Sequence, residues 1–229
     1  MERVITVDGL AGSGKTTISR ALAARLGWGH FNSGSLYRTV GLLAVRSQID
    51  PDDEGRVAEE LGRHELAVQV TPQAGTVIQL NGVVLSEDLT TAVISDATSR
   101  SSRHPSIRTA LLAVQRKIAE ESPLVAEGRD MGTIIFPDAP LKFFVTASED
   151  VRAERRLKQW RETGARSEVE LKQQLVKEIR ERDERDMLRA VAPTTPAHDS
   201  LPIDNSGPTL TQVVESMYAL ARSRGLADT

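Results

Sequence analysis

Apolar and polar positions change period several times along this chain, and each change marks an element. Residues 4–7 are a run of β-branched residues, which predicts a buried strand. Residues 18–26 carry apolar side chains at helical spacing and predict a helix just behind it. Gly27 and Gly29 end that helix, a short strand runs through His30 and Phe31, and 32–35 form a turn that caps a helix from about Leu36 to Val45. Asp50-Pro51-Asp52-Asp53 breaks the chain, and 54–61 read as a short helix. The period then drops to two. Residues 66–70, 76–80 and 83–85 read as three short strands, joined by a loop at 71–75 and by the two-residue hairpin turn Asn81-Gly82.

Residues 90–103 are polar and helical, and a further helix opens at Pro105 or Ser106 with Ile107, Leu111, Leu112, Val114 and Ile118 on its apolar side. Strands follow at 124–126, 142–145 and 201–204, and a helix over 209–222 closes the series. Strands alternating with helices predict an α/β fold of the P-loop NTPase type, a parallel sheet flanked by helices. The small antiparallel sheet reads as an insertion. The expected division is a core of residues 1–45 and 104–229, with a short lid at about 155–168, and an insertion of residues 46–103.

The junction between the first strand and helix carries the clearest chemistry. Gly9 to Thr16 fits the phosphate-binding pattern G-x-x-x-x-G-K-[ST] at every fixed position. Gly9, Gly12 and Gly14 admit backbone conformations closed to other residues, so that successive N–H groups turn inward on a phosphate. The helix opening at Lys15 adds its positive end. The Lys15 ammonium is expected on the β- and γ-phosphates, and the Thr16 hydroxyl on Mg²⁺.

Composition narrows the setting. The 229 residues are 39% hydrophobic and 27% charged, with a net charge of −3. That balance argues against a nucleic-acid or membrane-surface partner, and no apolar run reaches membrane-spanning length. Without cysteine, the chain forms no disulfide, thiolate zinc site or cysteine nucleophile. The first strand lies so close to Met1 that no signal peptide is expected, and the expected location is cytoplasmic.

Charged residues then fall into groups. Between Arg152 and Arg189 there are 12 Lys and Arg against 9 Asp and Glu, mostly a solvated helix laced with ion pairs. Its apolar positions Leu171, Leu175 and Ile179 recur every four residues, and the same face continues as Arg182, Asp186 and Arg189. The helix is therefore expected to leave the core and point charge into a cleft. Arg155 and Arg156 are expected on the donor's phosphates from a segment broken at Gly164. Ser33 and Ser35, with Tyr37 and Arg38 a turn later, put polar groups on one side of a cleft, or else cap a helix. Arg108 in the first turn of its helix is either a surface charge opposing the dipole or the partner of an anion or carbonyl. Glu127 to Thr133 follows the central strand, where ligands of open α/β sheets bind. Its Arg129-Asp130 pair is a site or a structural ion pair.

A phosphate loop with arginines converging from several segments fits phosphoryl transfer, in which charge develops on the transferring group's oxygens. No guanine-specificity motif appears. An anionic acceptor explains the arginine excess, and an acceptor phosphate, already ionised at neutral pH, needs no general base. The histidines His30, His64, His104 and His198 receive no role. The reaction read at this point is phosphorylation of a small anion, and a nucleotide-sensing module with little or no turnover is the other reading.

Together these segments resemble the bacterial cytidylate kinases of the nucleoside monophosphate kinase family. The resemblance rests on Asp8 through Lys15, on Ser33-Gly34-Ser35-Leu36-Tyr37-Arg38, and on Gly128-Arg129-Asp130-Met131-Gly132-Thr133 with Phe136-Pro137-Asp138-Ala139. Glu181-Arg182-Asp183-Glu184-Arg185-Asp186 and Arg189-Ala190-Val191-Ala192-Pro193 complete it. It implies ATP as donor on Gly9, Gly12, Ser13, Gly14, Lys15, Thr16 and Thr17, with Mg²⁺ on Thr16 and with Arg156 near the donor. It implies the acceptor beside Ser33 and Tyr37, its phosphate on Arg38, Arg129 and Arg189, and its ribose on Arg182 and Asp186. Cytosine is placed on Ser99, Arg108 and Asp130, whose carboxylate suits the donor amino group of cytosine and not the carbonyl of uracil. The resemblance makes Lys15, Arg129, Arg189 and Arg156 catalytic, the inserted sheet a nucleotide-binding piece, and the protein a monomer. The chain departs from the family pattern at Asn32, where Asp is usual, at Thr90, where Arg is common, and at Lys15-Thr16-Thr17.

Overall fold

A computed structural model describes residues 3–85, 89–161, 168–189 and 191–227, without the side chains of 159–161, 168–171 and Arg182. In chain order the first elements are β1 (Val4–Gly9), α1 (Lys15–Leu26), β2 (Gly29–Asn32), α2 (Ser33–Arg46) and α3 (Glu54–Gly62). The strands β3 (Leu66–Thr71), β4 (Gly75–Leu80) and β5 (Val83–Val84) follow, then α4 (Ala92–Ser101), α5 (Pro105–Glu121) and β6 (Leu124–Gly128). A single π turn at Met131–Ile135 leads to β7 (Leu141–Thr146), α6 (Glu149–Arg161), α7 (Glu168–Met187), β8 (Leu201–Asp204) and α8 (Leu210–Ser223).

The main sheet runs β2-β6-β1-β7-β8 with every neighbouring pair parallel. All six residues of β1 are buried, because helices cover both faces of the sheet. Alternation along the strands divides the interior. Val4, Leu124 and Ala126 face one core with Phe31, Leu36 and Ile107, while Ile5, Val7 and Val125 face the other with Ile18, Leu22, Phe143 and Met217. The small sheet β3-β4-β5 is antiparallel and lies against β2. There the Thr76 hydroxyl accepts the Asn32 N–H at 2.7 Å and donates to the His30 carbonyl at 2.9 Å.

Two boundaries differ from the sequence reading for physical reasons. Residues 33–35, expected as a turn, already belong to α2, because Asn32 caps the helix by accepting the Ser35 N–H on its side-chain oxygen at 3.3 Å. Glu127 and Gly128, read as lying past the central strand, are its last two residues, paired with Val7 and Asp8. At the carboxyl ends of β1, β2 and β6, one edge of the sheet therefore carries the phosphate loop, the start of α2 and the Arg129-Asp130 pair.

Candidate active site

The loop between β1 and α1 is shaped by its glycines. Gly9 has a φ of 153°, and a Cβ there would lie 2.1 Å from the Val145 carbonyl oxygen. Gly14 caps α1 in the left-handed region at φ 87°, with no side chain bonded to the helix start. The first-turn N–H groups of α1 thus meet an open hollow. Gly12, Gly14, Lys15, Thr16 and Thr17 line it, with Arg156 and Lys158 of α6 opposite. A second hollow lies across Lys15. Its walls include Ser33, Tyr37 and Arg38 of α2, Ser99 of α4 and Arg108 of α5, with Arg129, Asp130, Asp186 and Arg189. Lys15, Thr16, Arg38 and Arg129 line both hollows.

Lys15 Nζ donates to the Leu10 carbonyl at 3.2 Å, which holds the ammonium at the mouth of the loop. The Thr16 hydroxyl donates to Glu127 Oε2 at 2.9 Å. Glu127 is 1% exposed, and its other oxygen has no hydrogen-bond partner, lying 3.4 Å from His30 Nε2. Sequence reasoning gave neither Glu127 nor His30 a role, since only the parallel pairing of β2 with β6 brings them to the phosphate loop.

On the acceptor side, Arg129 Nε donates to Asp186 Oδ2 at 2.9 Å and its Nη1 to the Gly9 carbonyl at 2.6 Å. Arg189 donates to the other oxygen of Asp186, so one buried carboxylate holds two guanidinium groups. Arg108 is not a surface charge. It is 9% exposed, donates to Asp130 and, at 3.1 Å, to the Ser102 carbonyl, and its guanidinium carbon lies 5.3 Å from the centroid of the Tyr37 ring. Burial pushes the Asp130 carboxyl above the ordinary carboxylate range, and Arg108, Arg189 and Arg129 pull it back. The Ser33 hydroxyl donates to the Glu127 carbonyl at 2.9 Å, so it braces the end of β6. Arg155, expected on the donor, lines the same hollow as Lys15 and Arg156, and donates to the Ser13 carbonyl at 3.2 Å and the Asn205 carbonyl at 2.7 Å. The expected roles of Arg182 and of lid residues 162–167 fall outside the described residues.

Along α7, Leu175 and Ile179 are buried, and among the described side chains the buried face continues through Asp183 and Asp186. Asp186 and Arg189 of the expected charged stripe line the second hollow.

Asp8 fixes the turn after Arg129-Asp130. Its two oxygens accept the N–H groups of Met131 at 2.8 Å and Gly132 at 2.7 Å. Burial raises its pKa from 3.8 to about 7 in spite of those bonds and of Lys15. A carboxyl that holds its proton more tightly when folded stabilises the fold at low pH, and this contribution is lost between about pH 4 and pH 7. Three pKa units at 1.36 kcal/mol each set an upper bound of about 4 kcal/mol. The unfolding free energy of the natural chain, measured with urea at a series of pH values, is expected to fall relative to Asp8→Asn over that window. A difference that stayed level across it would exclude the assignment.

Comparison with known proteins follows the same outline. A family model described as cytidylate kinase matches residues 5–223. A cytidylate kinase of Burkholderia mallei (strain NCTC 10229) is 41% identical over 222 residues, spanning 97% of this chain and 94% of the relative. One from Klebsiella pneumoniae (strain 342) is also 41% identical over 222 residues, covering 96% of each. Among solved structures, an uncharacterized protein from Eubacterium ventriosum covers 97% of this chain and 99% of its own, with a TM-score of 0.52 at 12% identity, a likeness of fold alone.

Proposed function

Since the chain belongs to the cytidylate kinase family, we propose that it transfers the γ-phosphate of ATP to CMP or dCMP with Mg²⁺, giving ADP and CDP or dCDP. The observation that carries this reading is the shared wall of the two hollows, where Lys15, Thr16, Arg38 and Arg129 face both. A donor phosphate on the loop and an acceptor phosphate beside Arg129 then meet end to end across that wall, the geometry of an in-line displacement.

In this reading Gly9, Gly12, Ser13, Gly14 and Thr17 shape the loop that cradles the donor, and Lys15 and Arg156 neutralise its outer phosphates. Arg38, Arg129 and Arg189 hold the acceptor phosphate, whose ionised oxygen attacks without a base. The guanidinium groups follow the charge that develops on the transferring group. Ser99, Arg108 and Asp130 read cytosine beside Tyr37 and Ser33, and Arg182 and Asp186 read the ribose. The residues fit a magnesium ion, because a buried Glu127 oxygen without a hydrogen-bond partner stands behind the Thr16 hydroxyl. Thr16 and Glu127 would hold that ion, which when bound neutralises the β- and γ-phosphate oxygens. Residues 1–45 and 104–229 form the core and 46–103 the acceptor-binding insertion, with a lid at about 155–168. The protein works as a cytoplasmic monomer, without nucleic acid or membrane; among the described residues no helix is long and apolar enough to cross a membrane.

The test is ADP release from ATP·Mg²⁺ with CMP, dCMP, UMP, AMP and shikimate in parallel. Turnover with CMP and dCMP well above the other three is expected. Equal rates with UMP would remove the cytosine assignment, and ATP binding without acceptor-dependent ADP release would leave a sensing module.

A further inference from the structure

A phosphate loop that turns its N–H groups inward leaves carbonyls facing the protein, and those need donors of their own. Here they come from α6 and β8. The Ala11 carbonyl accepts from Arg152 Nη1 at 3.1 Å, and the Ala11 N–H donates to Asp183 Oδ1 at 3.2 Å. Arg152 Nη1 also donates to the second oxygen of Asp183. The two peptides that flank Ala11 are thus held, one by an anion and the other by a cation, and those two charges are themselves paired. Arg152 is 3% exposed and Asp183 7%. The neighbouring carbonyl of Ser13 is held in the same manner, by Asn205 Nδ2 at 2.8 Å and Arg155 Nη1 at 3.2 Å.

Asp183 has a second consequence through its helix. Asp186 lies one turn further along α7 and gathers Arg129 and Arg189 on the acceptor side. The same helix is therefore pinned to the donor loop by one carboxylate and to the acceptor arginines by the next. We propose that Arg152 and Asp183 are positioning residues for the transfer, orienting the two peptides that flank Ala11 so that the loop presents its N–H groups to the donor phosphates. The inference rests on the reading of that loop as the ATP site. Arg152 lines the edge of the donor hollow, but its Nη1 is given to the Ala11 carbonyl and to Asp183, so its part in this proposal is to hold the loop. A loop free to tilt at Ala11 holds ATP poorly, while Arg129 and Arg189 on the acceptor side keep their own carboxylate, Asp186, whichever residue stands at 183.

The test uses Asp183→Asn and Arg152→Lys in the full chain. Asparagine keeps an oxygen for the Ala11 N–H and loses the charge facing Arg152. Lysine keeps the charge and loses the planar fork that serves Ala11 and Asp183 together. Each variant is expected to raise KM for ATP at least tenfold, with KM for CMP within about threefold of the natural chain, and the double variant to be little worse than either single one. Binding of a non-hydrolysable ATP analogue is expected to weaken by the same factor. This reads the loop even if the natural chain failed to turn over CMP, an outcome that would sink the proposed function and leave the positioning role standing. Variants that melt at lower temperature but keep the natural KM for ATP, or that both fail to fold, would overturn the proposal and leave a structural ion pair between α6 and α7.

Discussion

Replacing Lys15 by methionine lowers kcat for CMP-dependent ADP release by about 10²- to 10³-fold, with the fold intact. Methionine keeps most of the side chain's length, and Lys15 heads α1 on the surface of both hollows, so what is lost is the charge. Its ammonium is held by the Leu10 carbonyl at 3.2 Å, beside the point where the two phosphates meet in the proposed geometry. A preorganised cation at the transferring group is worth about 3–4 kcal/mol of transition-state stabilisation, which is two to three powers of ten. Because the same charge also supports ATP in the ground state, KM for ATP rises as well, and kcat/KM falls further than kcat. Single-turnover measurement at saturating ATP and CMP separates the two effects. A variant within tenfold of the natural kcat would take Lys15 away from the transferring phosphate and return it to the role of loop anchor.

The second large effect is at Asp130. Its removal in Asp130→Ala leaves the guanidinium of Arg108 buried at 9% exposure with the Ser102 carbonyl as its remaining hydrogen-bond partner. Breaking a buried pair from one side costs about 3–5 kcal/mol of stability, much more than an exposed pair is worth. The catalytic loss is separate. If the carboxylate reads the cytosine amino group, kcat/KM for CMP falls at least 10²-fold, and the preference for CMP over UMP collapses with it. Asp130→Asn, which offers both an amide donor and an acceptor, is the gentler probe: CMP suffers and UMP gains relative to it. Urea unfolding measures the first effect and paired CMP and UMP kinetics the second. Unchanged discrimination in both variants would make Asp130 a purely structural partner of Arg108.

The fold was open to reading in the sequence because its signals are local. A β-branched run marked β1, a short apolar run marked β6, helical spacing marked α1 and α5, and the change of period at Leu66 marked the small sheet. The phosphate loop was legible for the same reason, since Gly9 to Thr16 is one continuous stretch. Family resemblance supplied the acceptor residues, and the structure gathers Arg38, Arg129, Asp130, Asp186 and Arg189 around one hollow. What stayed hidden are pairings between residues far apart in the chain. Asp183 with Ala11, Glu127 with Thr16 and His30, and Asp8 with the Met131 turn each join segments that no spacing rule connects. Arg155 combines both: its guanidinium lines the hollow that the sequence suggested and also serves the Ser13 carbonyl of the phosphate loop.

The order of strands also bears on how the chain is made. Both neighbours of β1 lie more than a hundred residues downstream of it, with Val4 paired to Leu124 and Ile5 to Leu141. At about 5–20 residues per second, this fully buried strand waits on the order of ten seconds with neither edge paired. Its alternate faces, Val4 and Ile5 among them, finish in two different cores, so neither core is completed before β6 and β7 emerge. The strand that anchors the phosphate loop is thus made well before the two strands that enclose it, a slow, non-local assembly that leaves nascent chains dependent on protection during translation.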